Sequence, residues 1–372
     1  MNNRERVKAI LHYEKYDRMP VVHFGFWYET LVKWAQQGHI NQEEARGWGD
    51  GNRYEEIIAK KLGFDFNWFT MLMPTTGMTL LYPSFESKVM GTTPDGFKKV
   101  LNANGGIELH REGAGSIPAE VDHLLKDRKS WEKHFIPRLQ FSEDRINWKA
   151  IEALKNEKDR ENPVGLYCGS LMGEIRNWLG IEQLSYLYMD DEALYDEIIN
   201  TVGDLWYKTL ERTVTAGIDF DYGHFWEDIC FKNGPLVIPS IFNQKVGPHY
   251  KRICDLMNKN GIDIVYLDCD GMIDALIPTW VNNGVNTMFP IEVGTWKADI
   301  TPWREKFGKE IRGVGGMNKN VFDLDFNAVD VEVDRLKALM DLGGYIPCPD
   351  HRIPLNAKWE NVQYYCEKMH NL

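Results

Sequence analysis

Short apolar runs recur along this chain, each ending in polar residues and most followed by a helical stretch. That alternation constrains the fold more than any other feature. Segments around 20–25, 64–69, 164–168, 220–223, 262–267, 285–289, 311–316 and 345–347 read as eight strand candidates, being short, apolar and bounded by turn residues. Helical patterns cover 2–14, 191–216, 239–260, 271–283, 327–342 and 357–369. Alternating strand and helix predicts a parallel sheet with helices on its faces. No G-x-G-x-x-G follows an early strand, and polar residues recur at strand ends. An α/β fold of the closed (β/α)8 TIM barrel type therefore fits better than an open sheet. At 372 residues the chain exceeds the roughly 250 of a plain barrel. An N-terminal helical extension and a β-hairpin insertion at about 85–111 take up the difference, with Lys98–Leu101 and Ile107–His110 flanking an Asn/Gly turn. A polar helical stretch is expected around 120–158. The whole, 1–372, reads as a single barrel domain.

Composition removes several functions. Forty-three basic against 55 acidic side chains leave a net charge of −12 with no basic run, which disfavours nucleic-acid binding. No apolar stretch approaches the roughly 20 residues of a membrane span, and the N-terminus opens in a helical pattern without a signal-peptide core. The expectation is a cytoplasmic protein. The six cysteines include no C-x-x-C pair, which suits buried or metal-bound thiols better than a disulfide framework. Four of the thirteen tryptophans, Trp27, Trp34, Trp48 and Trp68, fall in the first third. They fit core packing or an aromatic-lined cleft.

Four strand ends carry chemistry: Glu227 and Asp228; Asp268, Cys269 and Asp270; Glu292; and Cys348, Asp350 and His351. In a barrel that edge is where active sites sit, and buried carboxylates are costly unless something charged meets them. Strand side chains alternate, so Asp268 and Asp270 share a face and Cys269 opposes them. His351, after the last strand, can close over the same ion. Carboxylate and imidazole ligands suit zinc in an open catalytic site, and also Mn²⁺ or Fe²⁺. The plainer alternative has Asp268 capping a helix, Asp270 pairing with an arginine and His351 as a loop residue. A Cys269 nucleophile would be blunted by its flanking carboxylates. Gly313-Val314-Gly315-Gly316 reads as tight barrel packing or cofactor clearance, with a phosphate loop as the alternative.

Several stretches together resemble the uroporphyrinogen decarboxylase superfamily over nearly the full length. They are Arg18-Met19-Pro20-Val21; Gly165 to Gly180; Trp226-Glu227-Asp228 with Gly234-Pro235 and Ile238-Pro239; Asp268-Cys269-Asp270-Gly271; and Gly343 to His351. The closer likeness is to the corrinoid-protein methyltransferase branch. Two departures bear on the branch. The arginine-rich motif of the decarboxylases is replaced by Val22-His23-Phe24-Gly25-Phe26-Trp27, which offers a polycarboxylate no cation. The H-x-C-G of the thiol methyltransferases aligns with Asp268-Cys269-Asp270-Gly271, and their distant cysteine with His351, so the ligands here are harder.

The resemblance then implies the following. A divalent metal, zinc by preference, sits on Asp268, Asp270 and His351, with Glu227 as a further ligand or proton donor. Cys269, Cys348 and Glu292 are alternatives, Glu292 also as a group that orients His351. Glu227, Asp270 and His351 carry catalysis, while His23, Phe24, Phe26, Trp27 and Trp226 shape the substrate pocket. The enzyme moves a methyl group from a small methylated donor, a methoxylated aromatic, to the cobalt of a corrinoid. No D-x-H-x-x-G stretch is present, so the corrinoid comes on a cobalamin-binding partner protein. A homodimer is compatible with this. Alternatives are transfer from methylcorrinoid to a thiol or folate, a decarboxylase, and a non-catalytic barrel that binds a ligand or corrinoid protein.

Overall fold

The structure, a computed structural model, describes residues 1–73, 80–111, 118–157 and 159–372. Its strands in chain order are β1 (Val22–His23), β2 (Phe66–Asn67), β3 (Leu72–Met73), β4 (Lys88–Thr92), β5 (Lys98–Leu101), β6 (Gly106–His110), β7 (Ala119–His123), β8 (Gly165–Gly169), β9 (Tyr222–Trp226), β10 (Cys230–Phe231), β11 (Gly234–Pro235), β12 (Val265–Asp268), β13 (Thr287–Phe289), β14 (Arg312–Met317) and β15 (Tyr345–Pro349). Seven form one parallel sheet in the order β3, β8, β9, β12, β13, β14, β15. Between its ends lies the parallel pair β1–β2. β2 runs through a single turn, Trp68–Met71, into β3. β1 lies beside β15. Just beyond them Trp27 N donates to Ile353 O (3.2 Å) and Ile353 N to Gly25 O (3.1 Å). The circuit is a (β/α)8 TIM barrel, and each of the eight expected strands forms part of it.

Strands β8, β9, β12, β13, β14 and β15 are almost entirely buried, as expected where helices cover a parallel sheet. On β9 and β12 the even-numbered residues face the axis. Tyr222, His224 and Tyr266 stack there with Trp68, at ring separations of 4.2–5.7 Å. Phe225 instead packs outward on Tyr250 of helix Gly247–Lys259. Helix Asn3–Leu11, closed by an Asn2–Glu5 capping box, lies against the N-terminal end of the strands. There Arg4 Nε donates to the buried Asp221 at 2.8 Å.

Three departures from the sequence reading have local causes. The insertion is larger than a hairpin. The expected pair β5–β6 forms, but β4 and β7 extend it to a four-stranded antiparallel sheet against helix Gly173–Asp190. The stretch expected to be helical from 120 thus begins as strand β7, and its last residue, 158, lies outside the described residues. The helix expected over 239–260 breaks into Pro239–Lys245 and Gly247–Lys259, where Pro248 removes an amide donor. The helix expected from 271 starts only at Ile277, because Gly271 has φ +90 and belongs to a turn.

The glycine cluster on β14 is packing. Gly315 has φ +121, and a Cβ there would lie 1.6 Å from Pro290 O. Among the described residues no helix is long and apolar enough to cross a membrane.

Candidate active site

The axis-facing side chains at the C-terminal ends of β9 and β12 converge. Asp268 ends β12, and Asp270 follows on the same face. Asp228 follows β9 in a left-handed conformation (φ 45), and its Oδ1 accepts from Asp270 N at 2.9 Å. Each of the three offers a carboxylate oxygen, all within 4.8 Å of one another. Gly271 permits the close approach of β10: a Cβ there would meet Cys230 O at 2.5 Å. Its amide donates to Glu292 Oε2 at 2.6 Å, and Thr295 Oγ1 donates to Oε1 at 2.9 Å.

His351 approaches from the lip after β15, with Nε2 3.3 Å from Asp270 Oδ2. Trp27 stacks on its ring (centroids 5.5 Å, 18°), and Phe24 packs beside it at 5.4 Å. Deeper on the axis His224 Nε2 lies 4.0 Å from Asp268 Oδ2.

Crowding of acids in a buried place sets the electrostatics. Burial, then Asp228 and Asp270, push the Asp268 carboxyl well above the usual carboxylate range, opposed by Arg352. Burial and Asp270 raise Asp228 to about 6. Burial and Asp270 also raise Glu292. One more acid lies on this rim. Glu174, in the first turn of helix Gly173–Asp190, is raised to about 7 by burial and by Glu227. Its Oε2 is buried without a partner among the described residues. Tyr167 sits where the charges of Glu174, Glu227 and Asp268 all reach it.

A barrel that gathers carboxylates at this mouth can be compared with known proteins. Residues 106–372 match the family model for uroporphyrinogen decarboxylase (URO-D). The chain belongs to the uroporphyrinogen decarboxylase family. Among solved structures, a methyltransferase from Methanosarcina mazei superposes over 100% of this chain and 99% of its own, with a TM-score of 0.59 and 13% identity. At that identity the likeness shows the fold. A B12-independent methionine synthase from Shewanella sp. W3-18-1 covers 59% of this chain and 66% of its own at 12% identity, with a TM-score of 0.40. No curated protein matches the sequence.

Within this family barrel the residues singled out in the sequence fall into two groups. Asp268, Asp270 and His351 come together. Phe24, with Phe289 at 4.7 Å, and Trp27 flank them. Trp226 lies half-buried beside Asp268 in register, under the Arg176 guanidinium.

Glu227 is turned away. It faces the helix layer, where its carboxylate accepts from the amides of Leu171, Met172 and Gly173 (2.8–2.9 Å), from Ser170 Oγ (3.2 Å) and from Tyr250 Oη (2.5 Å). It anchors the start of helix Gly173–Asp190 and has no oxygen to spare for a metal or a substrate proton. The axis-facing acid of this strand end is its neighbour Asp228.

His23 and Phe26 also leave the mouth. His23 points from β1 to Glu55, 3.1 Å away. Gly25, with φ +82, breaks the alternation and sends Phe26 into a cluster with Trp34 and Trp48. Cys269 lies on the outward face beside Cys230, its thiol raised by burial and by that neighbour. The Cys348 thiol is likewise raised by burial and lies toward Tyr365 of the last helix. Neither is a ready thiolate. Glu292 makes no hydrogen bond to His351 among the described residues, though its charge reaches that ring.

Proposed function

We propose that this barrel is a methyltransferase that takes a methyl group from a methoxylated aromatic and delivers it to the cobalt of a corrinoid held by a partner protein. The observation that carries the reading is the cluster of Asp228, Asp268 and Asp270 with His351 at its edge, built from oxygen and nitrogen donors with no thiolate. The residues fit a hard divalent cation. Asp270 Oδ1 is buried without a partner among the described residues, and Asp268 is driven toward its protonated form by burial and then by its acidic neighbours. Asp228, Asp268, Asp270 and His351 would hold zinc or a similar ion. When bound, it would supply Lewis acidity toward an ether oxygen.

The reaction breaks the ether's methyl carbon–oxygen bond and forms a carbon–cobalt bond. Cobalt(I) provides the electron pair of the new bond and becomes cobalt(III). The pair of the old bond stays on the phenol oxygen, which then needs one proton. Glu174, half protonated near pH 7, would supply it. Phe24 and Trp27 would face the arene and keep water from it.

Two alternatives fare worse. A porphyrinogen polycarboxylate would meet Asp228, Asp268, Asp270 and Glu292 at the mouth. Nearby cations are already engaged: Arg352 with Asp50 at 2.6 Å, Lys319 with Asp350 at 3.0 Å, and Arg176 with the Asp228 carbonyl and Asn177 Oδ1 at 2.5 and 2.9 Å. Transfer to a thiol calls for an activated thiolate among sulfur ligands, and Cys269 and Cys348 face away.

The test mixes the purified protein with a reduced corrinoid protein and a panel of methoxyarenes, and follows methyl-cobalt absorbance. Methyl-cobalt should accumulate with at least one ether and match the phenol released. No methyl-cobalt with any methoxyarene removes the reading.

A further inference from the structure

His224 has no part in the reaction proposed above, and its surroundings are unusual. It lies on β9, pairs in register with Tyr266 and faces the axis one layer below the three carboxylates. It is 2% exposed. Its ring stacks on Tyr266 with centroids 4.2 Å apart, yet neither ring nitrogen has a hydrogen-bond partner among the described residues. Buried polar atoms are almost always satisfied. A position that merely filled the barrel would be better served by phenylalanine, which has the same shape and leaves nothing orphaned.

The distance to Asp268 suggests what satisfies it. Nε2 and Asp268 Oδ2 are 4.0 Å apart, too far for a hydrogen bond. Bonds from histidine nitrogen and carboxylate oxygen to zinc are each about 2.0–2.2 Å. Two ligands of one such ion therefore stand about 3.4 Å apart at a tetrahedral angle and about 4 Å apart across a five- or six-coordinate ion. The three carboxylates form the group within 4.8 Å, and His224 Nε2 lies just below it, 4.0 Å from Asp268.

We propose that His224 Nε2 is a ligand of the divalent cation held by Asp228, Asp268 and Asp270, closing the site from the barrel floor while His351 approaches from the lip. The proposal rests on the cation in the function above and not on its methyl chemistry. With Nε2 committed to the ion, the ring is neutral and its proton sits on Nδ1. The ion then sits deeper than a site built from strand ends alone, and its outer face stays free for a donor oxygen.

The test uses the full chain, stripped by chelator and reloaded with Zn²⁺ alone, with X-ray absorption to count imidazole ligands. The imidazole count should fall by one in H224F, and one imidazole should remain in H351A. In calorimetry with Co²⁺, H224F should bind more weakly by over about 100-fold, beyond the effect typical of an outer-shell partner. Stripped H224F should melt as cooperatively as the stripped wild type. No Zn²⁺ uptake by the wild type, no imidazole in loaded H351A, or unchanged Co²⁺ affinity in H224F would overturn the proposal. If H224F does not fold, the H351A spectrum decides alone. Methyl transfer is a separate arm. An imidazole-bearing site in a protein that methylates no corrinoid keeps His224 and loses the function. Normal methyl transfer with unchanged H224F affinity does the reverse.

Discussion

Asp268→Asn should lower methyl transfer by roughly 1,000-fold, because a carboxylate that helps hold a Lewis acid supports several kcal/mol of transition-state stabilisation. The same change should raise the melting temperature of the cation-free protein at neutral pH. Burial, with Asp228 and Asp270 beside it, raises the folded-state pKa of Asp268, and burial raises Asp228 to about 6 from an ordinary 3.8. The folded state therefore binds more protons than the unfolded chain above about pH 3.8, and stability falls as pH rises through the folded values. At neutral pH the folded protein must either hold Asp268 protonated above its ordinary range or bear the repulsion, and an asparagine removes that cost. Thermal melts at pH 5 and pH 7.5, with and without divalent cation, read this out. Between those pH values wild type should lose more stability than D268N. Added cation should stabilise wild type and leave D268N nearly unchanged. A D268N protein that is as active as wild type, or less stable than it at pH 7.5 without cation, would contradict the account.

Glu227→Ala should be the most destabilising substitution near the site, by at least about 3 kcal/mol, and should act through folding. The carboxylate satisfies three backbone amides at the start of helix Gly173–Asp190, together with Ser170 and Tyr250. Removing it orphans donors that no water reaches, since Glu227 is fully buried. Glu227→Gln keeps the shape and one accepting oxygen, so it should cost less while turning an amide nitrogen toward a donor. Urea denaturation gives the stabilities, and calorimetric cation titration of E227Q gives the second check. Unchanged cation affinity is expected. An E227Q protein of normal stability that no longer binds cation would place Glu227 on the ion after all.

The Glu227 and Asp228 pair shows how far the sequence could be read and where it stopped. Eight strands were legible because buried parallel strands leave short apolar runs with polar ends. Alternation correctly brought Asp268 and Asp270 to one face. The same alternation, applied to Tyr222, His224 and Trp226, selects Asp228 and sends Glu227 to the helices with Phe225. The signal was therefore present, one residue from the chosen acid. His23 and Phe26 were less accessible, since Gly25 interrupts the period and which side faces the axis depends on the tertiary fold. Glu174 left no trace, because a glutamate in the first turn of a helix is ordinary wherever that turn lies. Strands β4 and β7 were missed because they are largely exposed and carry no buried alternation for a pattern to reveal.

The central claim is that carboxylates and imidazole at the barrel mouth work through a divalent cation on a methyl donor. The most direct test is the single-turnover rate of methyl-cobalt formation before chelation, after removal of bound metal, and after return of Zn²⁺ or Mn²⁺. The account predicts a rate that falls to background on removal and recovers on return of the ion. An undiminished rate in metal-free protein would contradict it, leaving the three carboxylates to work by proton transfer alone.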